Sequence, residues 1–261
     1  MGVAFAGVGV TYDGADRSRM QAVTDVDLEV ADGEFVSLVG PSGCGKSTLL
    51  RTVADLLPPT TGTVSIAGAS PRAARLKREV GFVFQDSALL EWRTILDNVT
   101  LPLELAGAPR AERVARAREL IELVGIGGFE RAYPRQLSGG MRQRASIARA
   151  MSTAPKVLLM DEPFGALDQI TRDRLNLELL QLSQRERMTV LFVTHSIGEA
   201  VLLSDRVVVM SPRPGRIRCI LPIDLPRPRA LSVRSGDRFV ELSRQGLAEL
   251  EEGFGHDGDR A

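Results

Sequence analysis

Eight consecutive residues, Gly40-Pro41-Ser42-Gly43-Cys44-Gly45-Lys46-Ser47, follow the pattern G-x-x-x-x-G-K-S/T. In that spacing the glycines let successive backbone N–H groups turn toward one anion at the start of a helix. Lys46 supplies a mobile positive charge for terminal phosphates and Ser47 a hydroxyl for Mg²⁺, and Thr48 is grouped with them as the next residue of the turn. A second constellation, Asp161-Glu162, closes the apolar run Val157-Leu158-Leu159-Met160. Carboxylates in that position reach the edge of a parallel sheet where ligands sit. Asp161 is suited to holding Mg²⁺ through its water shell, and Glu162 to polarising a water that attacks a γ-phosphate. A third, Ser138-Gly139-Gly140, opens a helical stretch and makes another phosphate-binding helix start. One γ-phosphate does not need two such cradles from a single subunit.

These groups must be held by a scaffold, and the hydropathy pattern outlines one. Val3 to Thr11 and Ala22 to Val30 read as paired strands, because Val26, Leu28 and Val30 alternate with Asp25, Asp27 and Glu29. Glu34 to Val39 is a short β-branched run leading into the glycine-rich turn, and Ser47 to Leu56 reads as the helix after it. Gly62 to Ala67 and Val80 to Phe84 are further strands, separated by the charged Arg72 to Glu79. From Leu96 to about Ala150 the pattern is helical. Strands return at Lys156 to Met160, Thr189 to Val193 and Arg206 to Met210, alternating with helical Asp168 to Arg185 and Ile197 to Leu203. That alternation predicts parallel βαβ units. Beyond Arg216 the chain is proline-rich, offers one amphipathic helix at Asp237 to Glu251, and is expected to fray from Gly253.

The 261 residues suffice for one core with a helical insertion. Lys and Arg total 33 and so do Asp and Glu, with no long basic run, so no nucleic-acid partner is expected. Cys44 and Cys219 form no ligand pattern, which suggests a reduced compartment without structural zinc. Met1 to Tyr12 carries no leader pattern and no run of about 18 apolar residues occurs, so the chain is expected neither to enter nor to span a membrane alone.

The order of the P-loop, then Leu137-Ser138-Gly139-Gly140-Met141-Arg142-Gln143, then Asp161-Glu162 resembles the ATP-binding-cassette ATPases, over Val3 to about Ile220. The resemblance implies ATP and Mg²⁺ at the Gly40 to Thr48 cradle. It also matches Gln85 to the Q-loop glutamine near Mg²⁺ and the attacking water, Asp168 in Gly165-Ala166-Leu167-Asp168 to the D-loop, and His195 to the switch histidine. Tyr12 matches the aromatic that stacks on adenine, with Phe5 as a rival. Met141 and Arg142 depart from the paired glutamines of many members, and Ser196 from a frequent aspartate.

The implied fold is α/β: a P-loop NTPase core with an N-terminal antiparallel β subdomain and an inserted α-helical subdomain at about 87–151. An ATP-binding domain over 1–220 would be followed by a short tail over 221–261. The family implies a head-to-tail homodimer in the ATP-bound state and transmembrane permease subunits docked near Gln85 to Asn98. Trp92 there is either a docking anchor or a core aromatic. A periplasmic or extracellular solute-binding protein would act indirectly, and the chain would be peripheral on the cytoplasmic face of the cell membrane. Leu89 to Thr94, Pro163 to Asp168 and Ser211 to Ile217 are similar to importers of the nitrate, sulfonate and taurine group. Uptake of a thiamine-precursor pyrimidine and an exporter ATPase are the alternatives.

Overall fold

The computed structural model of the chain describes residues 2–13, 19–165 and 167–255. Strands β1 (Val3–Asp13) and β2 (Arg19–Val30) pair antiparallel, with Val3 opposite Val30 and Asp13 opposite Arg19. A later strand, β4 (Thr61–Ile66), joins the other edge of β1, so the first sheet has the order β2-β1-β4. Alternation in β2 buries Val26, Leu28 and Val30 and leaves Asp27 and Glu29 in solvent, as period-two patterning requires.

The second sheet contains β3 (Phe35–Val39), β5 (Val80–Val83), β6 (Val157–Asp161), β7 (Thr189–Val193), β8 (Arg206–Met210) and β9 (Ile217–Pro222). Its order is β5-β6-β7-β3-β8-β9, parallel throughout except for β9 against β8. Every residue of β3, β6 and β7 is buried, because a parallel sheet is covered on both faces. Val157, Leu159, Leu191 and Val193 face the first sheet and α1 (Lys46–Val53). Leu158, Met160, Val190 and Phe192 face the opposite core, which is built from α3 (Ile95–Leu105), α4 (Arg110–Leu123), α5 (Gly139–Met151) and α6 (Gln169–Glu186). Thr94, Ser138 and Asp168 cap three of these helices, each side chain accepting the N–H three residues on. The charged stretch after β4 forms a short α2 (Pro71–Leu76) capped by Ser70.

Three outcomes differ from the sequence reading. β5 ends at Val83, one residue short of the expected Val80 to Phe84, so Gln85 stands in the loop two residues past the strand. β9 was hidden by the prolines after Arg216, yet an edge strand tolerates Pro222 because one of its sides needs no ladder bond. The division expected at residue 220 therefore falls inside a strand. Beyond it, α8 (Asp237–Gly255) buries Phe239 and Leu242 in a third core with Val39, Val201, Val207 and Val209. Residues 256–261, the end of the expected frayed segment, lie outside the described residues. Among the described residues no helix is long and apolar enough to cross a membrane.

Leu242→Ala is expected to lower stability by about 2–5 kcal/mol, the usual cost of a leucine-sized cavity. Urea unfolding of the full chain reads this as a lower midpoint at constant slope, whereas a helix packed on nothing would leave the midpoint in place.

Candidate active site

β3 delivers the chain to Gly40, and Gly45 caps α1 in a left-handed conformation, φ 98°. A Cβ on Gly45 would run into the Val23 side chain, so only glycine lets β2 and the turn meet. Lys46 is 4% exposed, and its Nζ donates to the carbonyls of Gly40 at 2.8 Å and Pro41 at 2.9 Å. The ammonium is thus curled against the carbonyls of its own loop. The adjacent Cys44 thiol, buried beside Lys46, is pushed above its ordinary pKa by desolvation, so it stays a neutral thiol.

Ser47 Oγ donates to Asp161 Oδ1 at 2.8 Å, joining the first turn of α1 to the last residue of β6. One residue on, Glu162 takes φ 46° while its N–H donates to the Val193 carbonyl at 3.0 Å. Its carboxylate lies 2.5 Å from His195 Nε2, two residues past the end of β7. The turn that carries His195 is clamped: Thr194 Oγ1 donates to the Glu199 carboxylate and accepts the Ser196 N–H, and Ser196 Oγ accepts the Glu199 N–H as the cap of α7 (Ile197–Leu203). Burial pushes the pKa of Glu199 up, opposed by its hydrogen bond with Thr194.

A cleft of about 340 Å³ collects Tyr12, Ser42, Gly43, Gly45, Lys46, Ser47, Thr48, Gln85, Glu162 and His195. Tyr12 is half-buried, and its hydroxyl lies 3.1 Å from Thr48 Oγ1. Phe5, the rival aromatic, is 3% exposed and belongs to the core beneath the first sheet. Trp92 is 74% exposed, so it is not a core aromatic. Met20, Ala22 and Arg213 also line the cleft and were not singled out as site residues. Only the pairing of β1 with β2 and the docking of the loop after β8 bring them there. Ser138 to Gly140 and Asp168 do not line it: Ser138 and Asp168 act as exposed helix caps elsewhere on the surface. A hydrogen bond from the Thr171 N–H holds the Asp168 carboxyl below its usual pKa. Ala166 of the same motif lies outside the described residues.

α5, the helix that starts after Ser138, nevertheless touches the Gln85 loop. Gln143 on α5 donates to the Phe84 carbonyl at 3.1 Å, and Arg149 donates to Ser87 and Ala88 carbonyls at 2.9 and 2.7 Å. From the other side, the buried Asn98 bonds the backbone of Leu90, Arg93 and Thr94.

Residues 23–165 match the family described as ABC transporter. The chain belongs to that family. It is 50% identical to an uncharacterized ABC transporter ATP-binding protein of Methanocaldococcus jannaschii, over 90% of this chain and 86% of that one. It is 44% identical to a taurine import ATP-binding protein of Rhizobium johnstonii, over 87% of each. Its fold matches a dimeric ATP-binding cassette in a post-hydrolysis state bound to ADP and Pi, with TM-score 0.78, 33% identity, and coverage of 86% of this chain and all of the other. The protein is an ABC ATPase with an α/β fold that carries an antiparallel β portion and helical parts.

For this ABC ATPase the two aromatics should separate by measurement. Tyr12→Ala is expected to weaken ATP binding by about 0.5–1.5 kcal/mol through lost stacking. Phe5→Ala should instead lower folding stability by about 3–5 kcal/mol, as for a buried aromatic. Equilibrium nucleotide binding and thermal unfolding of both variants check the pair, and the reverse pattern would reassign the adenine platform.

Proposed function

We propose that this ABC ATPase energises uptake of a small solute, such as taurine, another sulfonate or nitrate, through separate transmembrane permease subunits. Its ATP sites would be shared between two copies of the chain. The observation that carries the reading is the division of the motifs: the P-loop, Glu162 and His195 open on one cleft, and the helix start at Ser138 lies off it. The importer direction is supported by the likeness to the taurine import protein of Rhizobium johnstonii. The shared site is supported by the matching cassette, which is itself dimeric.

In this reading Lys46 Nζ gives up the Gly40 and Pro41 carbonyls for β- and γ-phosphate oxygens. The Ser47 hydroxyl and the Asp161 carboxylate, 2.8 Å apart, are hard oxygen donors of the kind Mg²⁺ takes. With Gln85 they would hold the ion, which when bound neutralises charge on the phosphates. Glu162 accepts a proton from the attacking water, and His195 orients the carboxylate from 2.5 Å. Tyr12 stacks on adenine. Ser138 to Gly140 and Asp168 of the second copy complete the site around the γ-phosphate, where a second helix start has an anion to meet. The chain would sit at the cytoplasmic face of the cell membrane, docked by the exposed loop around Trp92, with a solute-binding protein on the far side.

Glu162→Gln should keep ATP bound but unhydrolysed, since the amide is nearly isosteric and accepts no proton. Gel filtration with ATP should then show a longer-lived dimer; turnover at the wild-type rate would remove Glu162 from this role.

Sharing of the sites is tested by mixing. Lys46→Ala disables the cradle, and Gly139→Asp sets a negative side chain against the γ-phosphate, so each homodimer should be inactive. A random mixture should regain about a quarter of the wild-type sites, because a mixed dimer holds one site free of both defects. Nucleotide trapping is measured beside turnover. If mixed dimers form and neither returns, each chain holds a complete site alone.

A further inference from the structure

Arg213 stands at the mouth of the nucleotide cleft on the loop between β8 and β9, which the mechanism above leaves unused. That loop is docked by its backbone. Thr24 N–H donates to the Gly215 carbonyl at 3.0 Å, Gly215 N–H donates to the Ala22 carbonyl at 2.9 Å, and Ser211 and Arg216 close the turn on each other. Gly215 is a close approach: a Cβ there would run into the Cys44 carbonyl of the P-loop. The seat of the loop therefore does not depend on the Arg213 side chain.

From this seat Arg213 Nε donates to the Gly43 carbonyl at 3.3 Å and Nη1 reaches Met20 Sδ at 2.9 Å. Its Nη2 lies 3.0 Å from the place a Cβ on Gly43 would occupy. Among the described residues neither hydrogen-bond partner is an anion. A guanidinium has five donors in one plane and is matched to phosphate or carboxylate, so a long bond to a carbonyl and one to a thioether leave its best bonding capacity unused. Met20 stands opposite Tyr12 across β1 and β2, and Ala22 follows on the same strand. Arg213 thus shares the Tyr12 side of the cleft, whereas Glu162 and His195 come from the ends of β6 and β7.

We propose that Arg213 is a nucleotide-binding residue that donates to the α-phosphate of ATP and of ADP. The proposal deepens the nucleotide-site reading above and rests on it. The α-phosphate is common to substrate and product and keeps its charge while the β–γ bond breaks. A contact to it binds ground state and transition state alike, which lowers KM without raising kcat.

The test compares wild type, Arg213→Gln and Arg213→Lys as full chains in binding of MgATP and ADP, at low and high salt, beside steady-state ATPase. Arg213→Gln is expected to weaken both nucleotides by a similar factor, about 5- to 30-fold for a partly exposed charge-assisted contact. KM should rise by that factor with kcat retained at saturation, and Arg213→Lys should recover part of the affinity. The salt dependence of binding should flatten in Arg213→Gln, because one screened attraction is gone. Wild-type affinity in Arg213→Gln overturns the proposal, and so does a loss for ATP without a loss for ADP. A lowered unfolding midpoint with unflattened salt dependence does the same, by showing that the side chain only props up Gly43. Lys46→Ala runs in parallel: binding lost there but kept in Arg213→Gln removes Arg213 alone, whereas binding kept in both removes the nucleotide cleft itself.

Discussion

At Gly45 the backbone turns from β3 into α1 with φ 98°, and the Ala22 carbonyl lies only 3.1 Å from where a Cβ would be. Three segments distant in sequence meet at this point. β2 presses Ala22 and Val23 against the turn, and the loop after β8 brings Gly215 against the Cys44 carbonyl. Each contact is possible only because one partner lacks a side chain, so the first sheet and the far edge of the second are both seated on the glycine-rich turn. Tyr12, Met20 and Arg213 reach the cleft through that seating. None of them has a position relative to Lys46 that local sequence could set.

The opposite wall follows from parallel pairing. β6 and β7 run side by side with Asp161 level with Val193, so the residues that leave the sheet next emerge together. The Glu162 N–H bond to the Val193 carbonyl continues the pairing for one step. It holds Glu162 at a φ that costs an ordinary residue about 1–3 kcal/mol, a strain kept only where surrounding structure enforces it. His195 is set against that carboxylate by the Thr194, Ser196 and Glu199 clamp. The Glu162–His195 pair is a product of sheet register at one end and of a helix cap at the other.

α5 connects two regions of the surface. Its first turn is the Ser138 to Gly140 start, free of the cleft, and its body donates through Gln143 and Arg149 to the loop that opens at Gln85. Arg149 is partly buried there, desolvation lowers its pKa, and its carbonyl acceptors hold it in place. The two motifs assigned to different copies of the site are therefore fastened within one chain.

The motif residues were legible because their chemistry is local: G-x-x-x-x-G-K-S/T needs only a strand before it and a helix after it, and Asp161-Glu162 only an apolar run to carry it. Alternation in β2 and the continuous apolar runs of β3, β6 and β7 likewise declared a half-exposed sheet and a fully covered one. The tertiary structure decided what depends on contacts between distant segments. Phe5 and Tyr12 are both aromatics on β1, and only burial tells the core residue from the one at the cleft. The residues past 220 read as a tail because prolines mask strand signals, yet β8 offers β9 an edge and Val39, Val207 and Val209 give Phe239 and Leu242 an apolar surface to cover. Arg213 entered the sequence reading only as part of Ser211 to Ile217, a segment similar to importers, with no role of its own. Its place over Gly43 comes from hydrogen bonds between Gly215 and β2, and such long-range backbone pairing leaves no periodicity in the sequence to be read.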